Sequence, residues 1–85
     1  MNIKEIRAYI LAYLYEAEKR EILVNISNMA SRIIQKAGIS DNSARNHIRD
    51  CEKIETIEIV NLELRLTTKG RNEVKNIQYS TTEEI

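Results

Sequence analysis

The sequence predicts a mainly α-helical domain with one small β-hairpin, an α+β fold in the order α-β-α-α-β-β-α. Apolar residues recur at helical spacing in four separate stretches. On either side of Asn61, Ile57-Glu58-Ile59 and Leu64-Arg65-Leu66 alternate apolar with charged residues, which is strand periodicity. Two glycines and no proline among 85 residues leave too few turn formers for a many-stranded sandwich.

The length suits a single domain at the small end of what one hydrophobic core can support. Residues 1–78 are read as that domain, and residues 79–85, which carry no core pattern, as a flexible tail. No apolar run approaches the ~20 residues of a membrane span and no signal-peptide pattern opens the chain, so a cytoplasmic protein is expected.

Residues 2–18 form the first expected helix. Ile3, Ile6, Ile10, Tyr13, Leu14 and Ala17 recur along its main face, and Asn2 with Glu5 is a capping-box pair. Its apolar surface is wider than one stripe. Tyr9, Leu11, Tyr13 and Tyr15, together with Ile77 near the other end of the chain, are therefore expected to form a homodimer seam. Ile22 to Ile26 is β-branched and too short for a helix, so it reads as a strand. Ser27 is the expected cap of the second helix, whose buried face is Met29, Ala30, Ile33 and Ile34. Gly38 ends it, after Lys36 in the last turn.

Ser40 then caps a third helix, about Asp41 to Lys53, with only a short turn between the two helices, as in a helix-turn-helix. Ala44, Ile48 and Cys51 form its buried stripe. The opposite face carries Asn42, Asn46, Arg49 and Lys53, flanked by Ser43 and Arg45. A hairpin centred on Asn61-Leu62 pairs Ile59 with Leu64 and Ile57 with Leu66, putting all four on one face. A two-residue turn and a four-residue loop of the same register both fit. Thr67 or Thr68 caps the last helix, with Val74 and Ile77 inward and Gly70 where close packing forbids a side chain.

Composition excludes several functions. The single cysteine rules out an internal disulfide and a cysteine-based zinc site. Cys51 and His47 share an i, i+4 spacing, but no further soft ligand exists to complete a metal site. There is no nucleophile–base–orienter set and no glycine-rich phosphate loop, so neither catalysis nor a cofactor is expected. Net charge is zero, yet its distribution is uneven. From Ser27 to Lys53 basic residues outnumber acidic ones by five to three, and from Ile54 to Ile85 acidic outnumber basic by six to four.

Two stretches carry a resemblance. Ile39-Ser40-Asp41-Asn42-Ser43-Ala44-Arg45-Asn46-His47-Ile48-Arg49 resembles the start of a recognition helix. Leu64-Arg65-Leu66-Thr67-Thr68-Lys69-Gly70-Arg71 resembles the second wing strand and following turn of MarR-like and PadR-like regulators. Taken in this order, the chain resembles the winged helix-turn-helix DNA-binding superfamily, including the small winged-helix proteins of archaea and their viruses. Two features depart from that pattern. Cys51 to Ile57 contains no glycine, and the wing tip has Glu58 and Glu63 nearby in place of cations, which argues against groove contact by the wing.

The resemblance implies sequence-specific binding of double-stranded DNA by a transcriptional regulator, with residues 41–53 in the major groove. Asn42 and Asn46 suit adenine, Arg45 and Arg49 suit guanine, and Ser43 suits either. Ser40, Arg32, Lys36, His47, Lys53, Arg65 and Lys69 are the expected backbone contacts. One such module buries only ~600–1,000 Å², so a homodimer on a palindromic site is expected. No small-molecule ligand is implied. The rival reading is a winged helix used as a protein–protein adaptor; it would place exposed apolar residues on the outer face of the third helix, where this chain has Asn and Arg.

Overall fold

Four helices and a two-stranded antiparallel sheet follow one another as α1 (Ile3–Lys19), α2 (Ile26–Ala37), α3 (Asp41–Lys53), β1 (Ile57–Val60), β2 (Glu63–Leu66) and α4 (Thr68–Glu84). The computed structural model describes the backbone of residues 1–84 and the side chains of residues 1–76. The side chains of Ile77 and of the expected tail lie outside that description.

Helix α1 begins with the expected capping box: Asn2 Oδ1 accepts from the Glu5 N–H at 2.8 Å, and the Asn2 N–H donates to Glu5 Oε1 at 3.3 Å. It packs against α2, α3, α4 and β2. That central position explains its broad apolar surface and corrects one expectation. Leu11, placed at a dimer seam by its angle from the main stripe, is fully buried in the core with Ile10, Ile48 and Val74. Leu11 is covered by its own chain, while Tyr9, Tyr13 and Tyr15 stay half-buried at the edge of the core.

The helix ends in a Schellman turn, in which the Ile22 N–H reaches the Ala17 carbonyl at 2.9 Å and the Glu21 N–H reaches that of Glu18 at 3.1 Å. Glu21 takes the left-handed conformation there, with φ 57°. This turn removes the strand expected at Ile22–Ile26. With Ile22 drawn back toward α1, only Val24 to Ile26 run beside β2. What remains is one isolated bridge, Asn25 opposite Glu63, held by Leu64 N–H to Val24 O at 2.8 Å and Ile26 N–H to Leu62 O at 3.0 Å. Asn25 is also the cap of α2, its Oδ1 accepting from the Asn28 N–H at 2.8 Å, so the helix starts before the expected cap Ser27.

Gly38 closes α2 with φ 67°, its N–H bonded to the Ile34 carbonyl. Ser40 caps α3 through the Ser43 N–H at 3.1 Å. Helix α3 leaves through a second Schellman turn, with Thr56 N–H to Cys51 O at 3.0 Å, Glu55 N–H to Glu52 O at 2.9 Å, and Glu55 at φ 65°. A glutamate thus occupies the left-handed position that glycine usually fills, and the missing glycine between α3 and the hairpin has a structural counterpart.

The hairpin register is the expected one, Ile57 opposite Leu66 and Ile59 opposite Leu64. Asn61 and Leu62, at φ 50° and 67°, make the two-residue version of the turn, with both central residues left-handed as in type I′. Thr67 caps α4 by accepting the Gly70 N–H at 3.1 Å. Met29, Ile33, Ala44, Ile48, Ile57, Leu64 and Leu66 meet α1 in a single core, each large aliphatic side chain contributing about 1.5–3 kcal/mol by burial. The buried Thr56 hydroxyl donates to the Cys51 carbonyl at 2.8 Å, and among the described residues no buried side-chain polar atom lacks a partner. No described helix is long and apolar enough to cross a membrane.

Candidate nucleic-acid interface

The core stripe of α3, Ala44, Ile48 and Cys51, dictates what faces outward. At 100° per residue the direction opposite that stripe falls on Asn42, Asn46, Arg49 and Lys53, and all four are exposed. None of them makes a side-chain hydrogen bond or ion pair within the described residues. The face is polar throughout, and exposed Asp50 and Glu52 stand on its two edges, acids that sequence reading left out. Two amides, a guanidinium and an ammonium therefore stand along about three helical turns with their hydrogen-bonding capacity unspent.

The flanks are engaged elsewhere. Arg45 Nε lies 2.9 Å from Asp41 Oδ2, one turn earlier, and its Nη2 is 3.4 Å from Ser27 Oγ at the start of α2. Arg45 therefore ties the two helices of the turn together instead of projecting freely as a base reader. The Asp41–Arg45 spacing of i, i+4 is a signal for this pair. The Ser27 contact joins residues 18 apart in sequence and has no local signal. Ser43 is half-buried in the cap, its Oγ accepting from Ser40 Oγ at 3.1 Å, and His47 is half-buried on the side nearer the core stripe.

The seven expected backbone contacts do not form one surface. Lys53 belongs to the outer face of α3, and Ser40 sits at its start. Arg32 lies over the Tyr13 ring at 4.4 Å and Lys36 over the Tyr9 ring at 5.9 Å, on the side of α2 that meets α1. Tyr9 and Tyr13 pack on each other with centroids 6.4 Å apart, and Tyr15 is covered by Lys19 at 4.6 Å, so the three tyrosines are half-buried beneath cations of their own chain. Arg65 pairs with Glu63 at 3.4 Å and borders the cleft between α1 and β2, away from α3. Lys69 donates to the Ile54 carbonyl at 2.8 Å, capping the C-terminal end of α3 where a cation complements the helix dipole. The first contact of Lys69 is thus structural.

Between α3 and the hairpin lies an open cleft of about 340 Å³, lined by Arg45, Arg49 and Glu52 from α3 together with Ile26, Ile48, Ile59 and Leu62. The sequence places Leu62 only in the hairpin turn; the fold sets it beside two of the candidate base contacts. Cys51 faces the core, where burial pushes its thiol pKa up. Among the described residues no three His, Cys, Asp or Glu side chains gather as a metal site. No protein-family model matches the chain, and neither a curated protein nor a solved structure matches it.

Proposed function

We propose that this chain is a winged helix-turn-helix domain that binds specific sequences of double-stranded DNA as a homodimeric transcriptional regulator, and that its role is binding and not catalysis. The observation that carries the reading is the outer face of α3: Asn42, Asn46, Arg49 and Lys53, exposed and unpartnered among the described residues, on the second helix of a two-helix unit joined by three residues. A helix of this size fits the major groove of B-DNA. Asn42 and Asn46 read adenine edges, Arg49 reads guanine or grips phosphate, and Lys53 holds the backbone. Arg45 bridges α3 to the start of α2 beside this face, through Asp41 and Ser27. One module buries too little surface for tight specific binding, which favours two copies on a palindromic site. The tyrosine edge of α1, Tyr9 and Tyr13, is the seam proposed for them.

Fluorescence anisotropy against random-sequence and promoter-derived duplexes, at two salt concentrations, tests the reading. Sequence preference that weakens with salt is the expected result. An Asn46→Ala/Arg49→Ala variant should lose at least ~30-fold in affinity for the preferred site, since each bidentate contact contributes about 1–3 kcal/mol of discrimination. No binding at low salt would refute it. One observation favours an adaptor instead: Ile22 and Leu23 are exposed side by side on the connector between α1 and α2. If DNA binding fails, that pair is where a protein partner should be mapped.

A further inference from the structure

The hairpin has two edges, and the chain covers part of only one of them. Antiparallel pairs alternate between residues that exchange backbone hydrogen bonds and residues that turn theirs outward. The Thr67 N–H bonded to the Thr56 carbonyl at 3.1 Å, and the Leu64 N–H turned away to Val24 at 2.8 Å, fix the phase. Glu58 therefore bonds to Arg65 and Val60 to Glu63, while Ile57 and Ile59 direct their N–H and carbonyl groups away from β2. On the β2 side, the Leu64 N–H and the Leu62 carbonyl are met by Val24 and Ile26. On the β1 side, nothing among the described residues meets the outward groups of Ile57 and Ile59. An edge of this kind is a template for one more strand.

The surroundings of the open edge select the kind of strand that fits. A shallow trough of about 620 Å³ runs along it, from Glu55 and Lys69 at the base of the hairpin to Val60 near the tip. Glu52, Glu55 and Glu58 are exposed along this trough, and none of them makes an ion pair among the described residues. Lys69, the cation of the trough, is engaged by the Ile54 carbonyl at 2.8 Å. Arg65, across the ladder from Glu58, pairs with Glu63 at 3.4 Å. The edge itself is apolar, with Ile59 half-buried and Val60 38% exposed. A second copy of this chain is a poor occupant. The register that pairs Ile57 and Ile59 of one copy with Ile59 and Ile57 of another sets Glu58 directly opposite Glu58, and like charges so placed repel. A cationic strand meets the same glutamate as an opposite charge.

We propose that the β1 edge is a docking site for an extended segment of another protein, one in which apolar residues alternate with Lys or Arg, added antiparallel to β1. Its apolar residues lie opposite Ile57 and Ile59 and exchange backbone hydrogen bonds with them. A cation lies opposite Glu58, in the negative field to which Glu52 and Glu55 add. Backbone pairing supplies the attachment, and the acids supply the selectivity. None of Asn42, Asn46, Arg49 and Lys53 lines the trough, so the site does not depend on the DNA-binding reading.

The test titrates the isotope-labelled full chain, without DNA, with a short synthetic peptide of alternating valine and lysine, and follows backbone amides by NMR and hydrogen exchange. The N–H groups of Ile57 and Ile59 should shift downfield, and at about ten times the Kd they should exchange about tenfold more slowly. Those of Glu58 and Val60, already bonded to β2, should change little. The same peptide with N-methylated valines, which cannot donate to the two carbonyls, should bind at least about tenfold more weakly. Glu58→Lys should weaken the lysine peptide about fivefold, as an opposite-charge cross-strand pair becomes a like-charge one. Glu52→Lys, which leaves the β1–β2 ladder untouched, should weaken it about twofold and keeps the test informative if the first variant folds poorly. The site is overturned if about 1 mM peptide leaves Ile57 and Ile59 unmoved, or if the N-methylated peptide or one with glutamate in place of lysine binds as tightly. It is also overturned if the two amides gain protection when the chain alone is concentrated, because the occupant is then a second copy.

Discussion

Gly70 is the position where local propensity and tertiary packing oppose each other most directly. It lies in the first turn of α4, and in an exposed helix replacement by alanine would add about 1 kcal/mol of stability. Here a β-carbon would fall on the Thr56 carbonyl oxygen, 3.0 Å from the carbonyl carbon and 3.1 Å from Leu66 Cδ2. The leucine methyl can rotate away, but the Thr56 carbonyl belongs to the backbone at the foot of the hairpin and also accepts the Thr67 N–H at 3.1 Å. Accommodating the methyl means moving α4 off the hairpin. That costs about 1–3 kcal/mol for overpacking and about 1 kcal/mol for the weakened hydrogen bond, with about 1 kcal/mol regained from propensity. The net expectation for Gly70→Ala is a loss of roughly 1–3 kcal/mol, against a total of roughly 4–13 kcal/mol for a chain of this length. Urea unfolding followed by circular dichroism reads this directly, with Gly38→Ala as the comparison. At Gly38 nothing lies within 4 Å of the added carbon, and the cost, about 1 kcal/mol, comes only from the left-handed φ of 67°. A Gly70→Ala protein as stable as wild type, or more so, would refute the packing argument.

Three other outcomes follow from the described geometry. Glu55→Gly should stabilise the chain by about 1 kcal/mol, because it relieves the left-handed glutamate in the turn after α3 without touching a buried contact; a drop in the urea midpoint would contradict this. The Arg71 guanidinium, hydrogen-bonded to Glu18 at 2.7 Å, holds that carboxyl below its ordinary pKa. A carboxyl depressed in the folded state stabilises at neutral pH and loses that contribution as pH falls through its folded pKa. Arg71→Gln should thus narrow the stability difference between neutral and acid solution, by no more than about 0.5 kcal/mol because both side chains are about 40% exposed. Cys51, 1% exposed with its pKa raised by burial, should resist thiol reagents at neutral pH and react at the unfolding rate; rapid stoichiometric labelling of the folded protein would show the core is open there.

The parts legible in the sequence are those whose cause is local. Ser40 and Gly38 bracket the turn before α3, and the alternation about Asn61 sets the hairpin register, because caps and period-two patterns act within a few residues. The strand expected at Ile22–Ile26 failed for a local reason that the sequence hides. A glutamate gives no warning of a left-handed turn, yet Glu21 makes one and draws Ile22 back onto α1. Asn25 and Ser27 are both good caps, and the bridge of Asn25 to Glu63 decides between them. In the candidate site, the outer face of α3 could be read from angle alone. The engagement of Arg45 by Ser27, of Lys69 by the Ile54 carbonyl and of Arg32 by Tyr13 could not, because each depends on a contact between elements.

The base of the hairpin has a consequence for how this chain can change. Thr67 donates its hydroxyl to the Glu55 carbonyl and its N–H to that of Thr56, while Lys69 reaches the Ile54 carbonyl, so the two ends of the intervening segment are bolted together independently of its tip. Loop-closure entropy rises only slowly with added length once the ends are held, by about 0.6 kcal/mol for each doubling. The tip is therefore a site of cheap variation. Insertions, grafted loops or a relocated pair of chain termini between Val60 and Glu63 should leave the four helices folded, so that lineages or engineers can alter what the tip touches while the scaffold stays constant.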